Sequence, residues 1–300
     1  MYRHKLFELF SMEEQDTHDE LWNSCLFKVP RFFASKGKFG STPSFSIKSS
    51  DSELSGEITY HGYATQNGAK TVFQYPGIRE ENVEDALINL ASKRCYNDNG
   101  FISVYFSIYE LRNELISVQK TPSVPELRSA LNVLFETSLS FSGTFQGQRY
   151  ENCIYKPFTH LSLRDSTKDS RDVKSSIKFS KFTSTRILSG ETERLDYSKV
   201  TKMGSLARHI YKFIVRFQNE ITNQSTLLSS TKLINASPLR LSERNPDNNR
   251  RIREALEQLY EHDIIESWSY DYSRGSDKIS LRIVNDYFIR EPQVMQSSPE

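Results

Sequence analysis

A pattern of ten residues occurs twice in this chain, 125 positions apart (252 − 127). Leu127-Arg128-Ser129-Ala130-Leu131-Asn132-Val133-Leu134-Phe135-Glu136 returns as Ile252-Arg253-Glu254-Ala255-Leu256-Glu257-Gln258-Leu259-Tyr260-Glu261. In each copy the apolar residues fall at i, i+3, i+4, i+7 and i+8, the spacing of a helix with one face in a core. Each copy runs into a strand-like segment, 138–143 and 264–272. A turn and a second strand-like segment follow, 150–163 and 278–284. Helices followed by strand, wing and strand, present twice, predict an α+β chain of two tandem winged-helix domains.

A length of 300 residues agrees with two domains. The boundaries expected are an N-terminal arm over 1–40, flexible or partner-binding, and a first winged helix over 41–193. A second winged helix takes 194–290, and a disordered tail 291–300. Glu80–Arg94 predicts a helix with Val83, Ala86, Leu87, Leu90 and Ala91 on one face and acids in its first turns, as the helix dipole favours. Phe101–Phe106 alternates like a strand. Ser107 with Glu110, and Ser123 with Glu126, are capping boxes opening two successive helices. The polar run 164–178 reads as a long wing or hairpin loop, since Ile177–Phe182 after it alternates again. Leu206–Ile221 predicts a helix with Leu206, Ile210, Phe213, Ile214, Phe217 and Ile221 inward. Ser230–Ser237 reads as a short helix or turn. Asn245 caps the last long helix, with Pro246 at its first position.

Net charge is +1, so any basic surface must be local. No apolar run approaches the roughly 20 residues of a membrane span, and no apolar signal segment opens the chain. Cys25, Cys95 and Cys153 are odd in number and far apart, as free thiols in a reducing, cytoplasmic compartment would be. No G-x-x-x-x-G-K-[ST] cradle for phosphates occurs. The histidines at 4, 18, 61, 160, 209 and 262 form no H-x-x-x-H or H-x-H pair, and no cysteine pair offers a zinc site. The expectation is a chain without catalytic residues, metal or cofactor.

The sharpest chemical signal lies at the second repeat. Arginines stand at 240, 244, 250, 251 and 253 against Glu243 and Asp247, while acids at 254, 257, 261, 263 and 266 follow with no Lys or Arg among them. Helices favour the opposite polarity by about 0.3–1 kcal/mol per charge. A recognition helix meets the major groove with its N-terminal residues, so phosphates and guanine edges account for the inversion. The alternative is a solvated face with Arg250 and Glu254 as an i,i+4 pair. The base-reading candidates are Asn245, Asn248, Asn249, Arg250 and Arg251, taken to lie off the apolar stripe, with Arg244 just before them. Arg253 sits beside that stripe, where it would snorkel along the surface. Around the first repeat, Lys120, Thr121, Ser123 and Arg128 are candidates for phosphate contacts or weaker base reading, with Glu126 diluting the charge. Arg274, Lys278 and Arg282 would set a wing on the backbone, or line an ordinary hairpin; Lys178 and Lys181 carry the same two readings. The aromatic and basic stretch Phe27–Phe39 would stack on unpaired bases, or pack on the domain or a second subunit.

The chain resembles the TrfA-type plasmid replication initiators, relatives of the iteron-binding Rep proteins. The similar segments are Leu26-Phe27-Lys28-Val29, Gly56-Glu57-Ile58-Thr59-Tyr60-His61-Gly62 and Val104-Tyr105-Phe106-Ser107-Ile108-Tyr109-Glu110-Leu111. Ser205-Leu206-Ala207-Arg208-His209-Ile210-Tyr211 and the 250–265 helix complete the set. The resemblance implies two winged helices that bind direct repeats in double-stranded origin DNA and help melt an AT-rich region, exposing single-stranded DNA. It also implies recruitment of the host initiator and replicative helicase, sequence reading mainly by the second winged helix, and a monomer–dimer balance through the first. Two departures stand out. Gln119-Lys120-Thr121-Pro122 occupies a turn that usually contains glycine, and the 164–178 insertion is unusually polar. Two other functions fit the residues: a duplicated winged-helix transcriptional repressor that never opens DNA, and a protein-binding scaffold without salt-dependent DNA affinity.

Overall fold

The computed structural model describes residues 21, 32, 42–50, 54–68, 70–164, 174–188, 196–217, 225–229, 245–271 and 278–283. Seven helices and several small antiparallel sheets make up the mixed α/β fold of these residues. They gather around three apolar cores. No helix among them is long and apolar enough to cross a membrane.

The first unit follows the predicted order. Helix α1 (Ile78–Lys93) leads through β5 (Tyr96–Asp98) into β6 (Phe101–Phe106). Asn99 and Gly100, at φ of +52° and +78°, form the tight turn between these strands, a conformation glycine adopts without Cβ strain. Helices α2 (Ile108–Ser117) and α3 (Val124–Glu136) follow. Both capping boxes form: Ser107 Oγ accepts from Glu110 N–H at 3.0 Å, and Ser123 N–H donates to Glu126 Oε2 at 2.8 Å. Strand β6 pairs with β10 (Ser175–Phe179), which pairs with β9 (Phe158–Ser162). Strands β9 and β10 are thus antiparallel neighbours within the first unit, as the alternation from Ile177 predicts as far as Phe179; Lys181 and Phe182 belong to a helix instead. Helix α4 (Lys181–Leu188) packs back on β6, where Ser184 Oγ accepts from Ile102 N–H at 2.9 Å. Leu87, Phe106, Leu111, Leu131, Leu134 and Phe158 are among the residues of the shared core.

The expected wing at 138–163 is corrected. Strands β7 (Ser138–Phe145) and β8 (Gln148–Tyr155) form a hairpin, but they join β1 (Ser44–Ser50) and β2 (Leu54–His61) in a separate sheet ordered β1-β2-β7-β8. Only the Phe158–Ser162 part of the predicted second strand joins the sheet of β6 and β10, with Pro157 between β8 and β9. The reason is apolar matching. Leu139, Phe141, Cys153 and Tyr155 face Leu54, Ile58 and Tyr60 in a core of their own. Gly56 and Gly143 are cross-strand partners there, and a Cβ on Gly56 would lie 2.7 Å from Gly143 Cα, so β2 and β7 approach too closely for a side chain. A hairpin of β3 (Tyr63–Asn67) and β4 (Lys70–Gln74) connects this sheet to α1. The N-terminal arm lies outside the described residues except at two points. Leu21 is fully buried in the core of the added sheet, and Phe32 packs against the core of the first unit.

The second unit holds α5 (Tyr197–Val200), α6 (Ser205–Phe217), β11 (Ser225–Ser229), α7 (Asn245–Glu261), β12 (Ile265–Asp271) and β13 (Lys278–Ile283). Its sheet is ordered β11-β13-β12, matching β6-β10-β9 strand for strand, so the third strand lies between the first and second in both. Leu206, Ile210, Ile214, Ile252, Leu256 and Leu259 are buried in its core. The segment 230–237, the boundary near 194 and the tail after 290 lie outside the described residues.

The two cores meet through charge. Arg208 on α6, 1% exposed, donates from Nη1 to Glu81 Oε2 at 3.0 Å and Asn82 Oδ1 at 2.9 Å on α1, and from Nε to Val200 O at 3.0 Å. Lys212, one turn on, reaches Glu81 Oε1 at 3.0 Å and Asp85 Oδ1 at 2.9 Å. Burial works to raise the Glu81 pKa, but the two cations outweigh it and hold this carboxyl below its ordinary range. His209 beside them is pushed down to about 4, chiefly by burial and against the pull of Glu81.

Candidate nucleic-acid interface

Helix α7 shows two faces. Asn248, Ile252, Ala255, Leu256 and Leu259 are buried, so the inward stripe begins one turn earlier than the apolar residues alone suggest. Asn248, expected off that stripe, is 6% exposed; its side chain cannot reach a base edge without leaving the core. Asn249 is half-buried, and its Oδ1 accepts from the Tyr270 hydroxyl on β12 at 2.6 Å, which ties the start of α7 to the sheet. The two asparagines thus anchor the helix rather than project from it. Tyr260, placed inward by the i+8 spacing, is 51% exposed.

The outward face carries Arg250, Arg253, Glu254, Glu257 and Glu261, all exposed, with both cations in the N-terminal half. Arg253, expected to snorkel beside the stripe, belongs to this face. Arg250 Nη1 pairs with Glu254 Oε1 at 2.5 Å, the i,i+4 contact of a solvated helix. Their side chains are 63% and 53% exposed, so the pair is screened and contributes about 0.2–1 kcal/mol. Such a pair yields its guanidinium to a phosphate or guanine at little cost. Arg251 is half-buried at the flank. The Asn245 side chain, Arg244 and Arg274 lie outside the described residues. On the hairpin beside α7, Lys278 is exposed opposite Asp271, and Arg282 Nε contacts Glu266 Oε2 at 3.0 Å.

The first repeat is built differently around the same helix. Arg128, Ser129 and Asn132 of α3 are half-buried, whereas Arg253, Glu254 and Glu257 at the matching places of α7 are exposed. Val133 is 1% exposed although it lies off the core stripe. Arg128 Nη2 donates to Arg164 O at 2.8 Å, fastening α3 to the backbone just past β9. The Ser123 hydroxyl is engaged in the capping box, Thr121 is exposed and Lys120 is half-buried. Helix α3 is therefore held on several sides, and α7 presents the open outward face. Lys178 and Lys181, both half-buried, sit over the Phe101 ring with Nζ 4.9 and 5.7 Å from its centroid, as cation–π contacts.

The turn before α3 contains no glycine, yet keeps the geometry that favours one. Gln119 takes φ of +64°, its N–H donates to Ile116 O, and Lys120 N–H donates to Leu115 O at 2.9 Å. The same closure ends α7: Asp263 takes φ of +54°, and Ile264 N–H donates to Leu259 O at 3.0 Å. Both are Schellman ends with an ordinary residue in the left-handed position.

No protein-family model and no curated protein matches the sequence. Solved structures do. The crystal structure of RctB domains 2–3, residues 155–483, superposes with a TM-score of 0.53 at 12% identity, covering 86% of this chain and 97% of that one. A selenomethionine form of RctB domains 2 and 3 gives 0.53 at 12% identity, covering 84% and 94%. At this identity the likeness is one of fold.

Proposed function

We propose that the chain is a sequence-specific DNA-binding initiator of replication, built as two tandem winged-helix domains. The observation that carries it is the exposed Arg250/Arg253 face on the N-terminal half of α7, within a fold shared along nearly the full length of RctB domains 2–3. The initiator reading is supported by the resemblance to TrfA-type replication initiators in segments such as Val104–Leu111 and Ser205–Tyr211. The matching sheet orders of the two units and the repeated helix support a duplicated DNA reader. In this proposal α7 enters the major groove as principal reader, and Arg250 and Arg253 contact bases or phosphates. Lys278 and Arg282 steady the hairpin on the DNA backbone, a role the sequence also assigns to Arg274, which lies outside the described residues. The first unit adds phosphate contacts and weaker base reading around Lys120 and Thr121, and self-association.

The finer function follows the TrfA-type resemblance: direct-repeat sites at a plasmid or plasmid-like origin, assistance in melting adjacent DNA, and recruitment of host initiator and helicase. The protein would act without catalytic residues or cofactor, in the cytoplasm. The test is selection of bound duplexes from a random pool at two salt concentrations. The expected result is one enriched motif of about two major-groove turns, whose affinity falls linearly in log–log form with salt as phosphates displace counterions. No enrichment at either salt would remove the DNA function and leave the fold. Opening of an AT-rich duplex beside the selected site would then separate an initiator from a repressor.

A further inference from the structure

We propose that the buried contact of Arg208 and Lys212 with Glu81, Asn82 and Asp85 is a spacing gauge. It sets the distance and rotation between the two units, and hence the spacing between the two halves of the DNA site. This rests on the tandem reading proposed above. The contact joins helices 127 residues apart in sequence, α1 of the first core and α6 of the second. It is balanced, with two carboxylates on α1 against two cations on α6. It is also directional. Arg208 is 1% exposed and its donors are fixed on three acceptors from two elements, while Glu81 divides its oxygens between the two cations.

Apolar surfaces slide past one another at little cost, whereas a buried guanidinium satisfied at three acceptors has one low-energy placement. Both anchored helices sit at the base of their units. Helix α1 packs against α3, and α6 packs against α7 through the shared core, so a shift at the contact is transmitted to both repeat helices. One base pair moves a contact about 3.4 Å along the duplex and about a tenth of a turn around it. A gauge held by hydrogen bonds of 2.9–3.1 Å does not absorb that displacement.

The experiment uses the full chain and two variants. In Glu81→Leu with Arg208→Met, apolar groups replace one buried pair and leave Lys212 with Asp85. In Lys212→Glu, a partly exposed cation is reversed. Cooperative thermal unfolding identifies the variants that fold. Two readouts follow. The first needs no DNA: the distance distribution between spin labels at the exposed positions Glu136 and Glu257, in a cysteine-free background. It should be narrow in the parent and broad in the folded variants. The second is affinity for the selected duplex with one or two base pairs inserted between its halves. The parent should lose about tenfold or more per insertion, the scale of a lost base contact, and the variants less than about threefold.

Equally narrow distances in a folded variant, or an unchanged insertion penalty, would overturn the gauge. A broadened distribution in a protein that selects no duplex would uphold the mechanical role and reject the DNA function, so the two failures are distinguishable.

Discussion

At the scale of single residues, backbone conformation and exposure decide more than residue type. Gln119 and Asp263 hold left-handed positions at the ends of α2 and α7, where a Cβ crowds the backbone by about 1 kcal/mol. Gln119→Gly should raise stability by about that amount in denaturant titration, because the Schellman bonds are kept and the strain is relieved. Asp263→Gly should do less, since a short polar side chain tolerates this region. Unchanged midpoints in both would mean the turns relax without strain. For binding, Arg250→Ala with Arg253→Ala should weaken the selected duplex by about 1–3 kcal/mol per lost base contact and relax its specificity. Asn248→Ala should act instead on stability, because its side chain is buried. Loss of specificity in Asn248→Ala with unaltered folding would reverse this division.

At the scale of elements, one repeated helix serves two surroundings. Helices α3 and α7 share pattern and core stripe, and the repeat was legible because that stripe is set by 3.6-residue periodicity. Ala130 and Leu256 are both fully buried. Ala130→Glu or Leu256→Asp should therefore cost several kcal/mol and abolish cooperative unfolding of its own unit, seen as loss of one calorimetric transition. Full cooperativity in either would contradict the shared stripe. The β7–β8 hairpin teaches the complementary point. Alternation along 138–145 and 148–155 correctly marks strands, because a half-buried strand needs only one apolar face. It does not say which sheet they join. Leu139, Phe141, Cys153 and Tyr155 would suit either sheet, and the β2 partners of Leu139 and Phe141, Tyr60 and Ile58, lie some eighty positions earlier. The outward side of α3 was hidden for the same reason: its half-buried positions at Arg128, Ser129 and Asn132 are covered by elements that local patterning does not locate.

At the scale of the molecule, the units are joined by a charge cluster whose energetics follow pH. Removing one partner of a buried ion pair costs about 3–5 kcal/mol, so Arg208→Ala should destabilise far more than Arg250→Ala. Glu81, held below the carboxylate range, contributes stability present above its unfolded pKa and lost as pH falls through its folded one. His209, pushed down to about 4, stays neutral in the folded chain while the unfolded chain takes up a proton near pH 6.5. Its contribution is therefore full above about 6.5 and declines toward 4. The melting temperature should fall through this window, and His209→Gln should flatten the upper part of the decline. A flat profile from pH 7 to 4 would show that the cluster is not coupled to folding.

The sequence by itself determined helices α1, α2, α3, α6 and α7, two capping boxes, the repeated core stripe and the inverted charge of α7, because each depends on residues within a few turns of one another; α4, whose first residues alternate like a strand, was not among them. Tertiary structure alone decided which sheet took β7 and β8, that Asn248 and Asn249 hold α7 rather than extend from it, and that α7 rather than α3 is open. It alone decided that Glu81, read locally as a dipole-favoured acid, closes on Arg208 from 127 residues away. The reason is physical. Periodicity and capping are short-range properties of the chain, while the partner of a buried apolar face or charge is chosen by packing among segments remote in sequence.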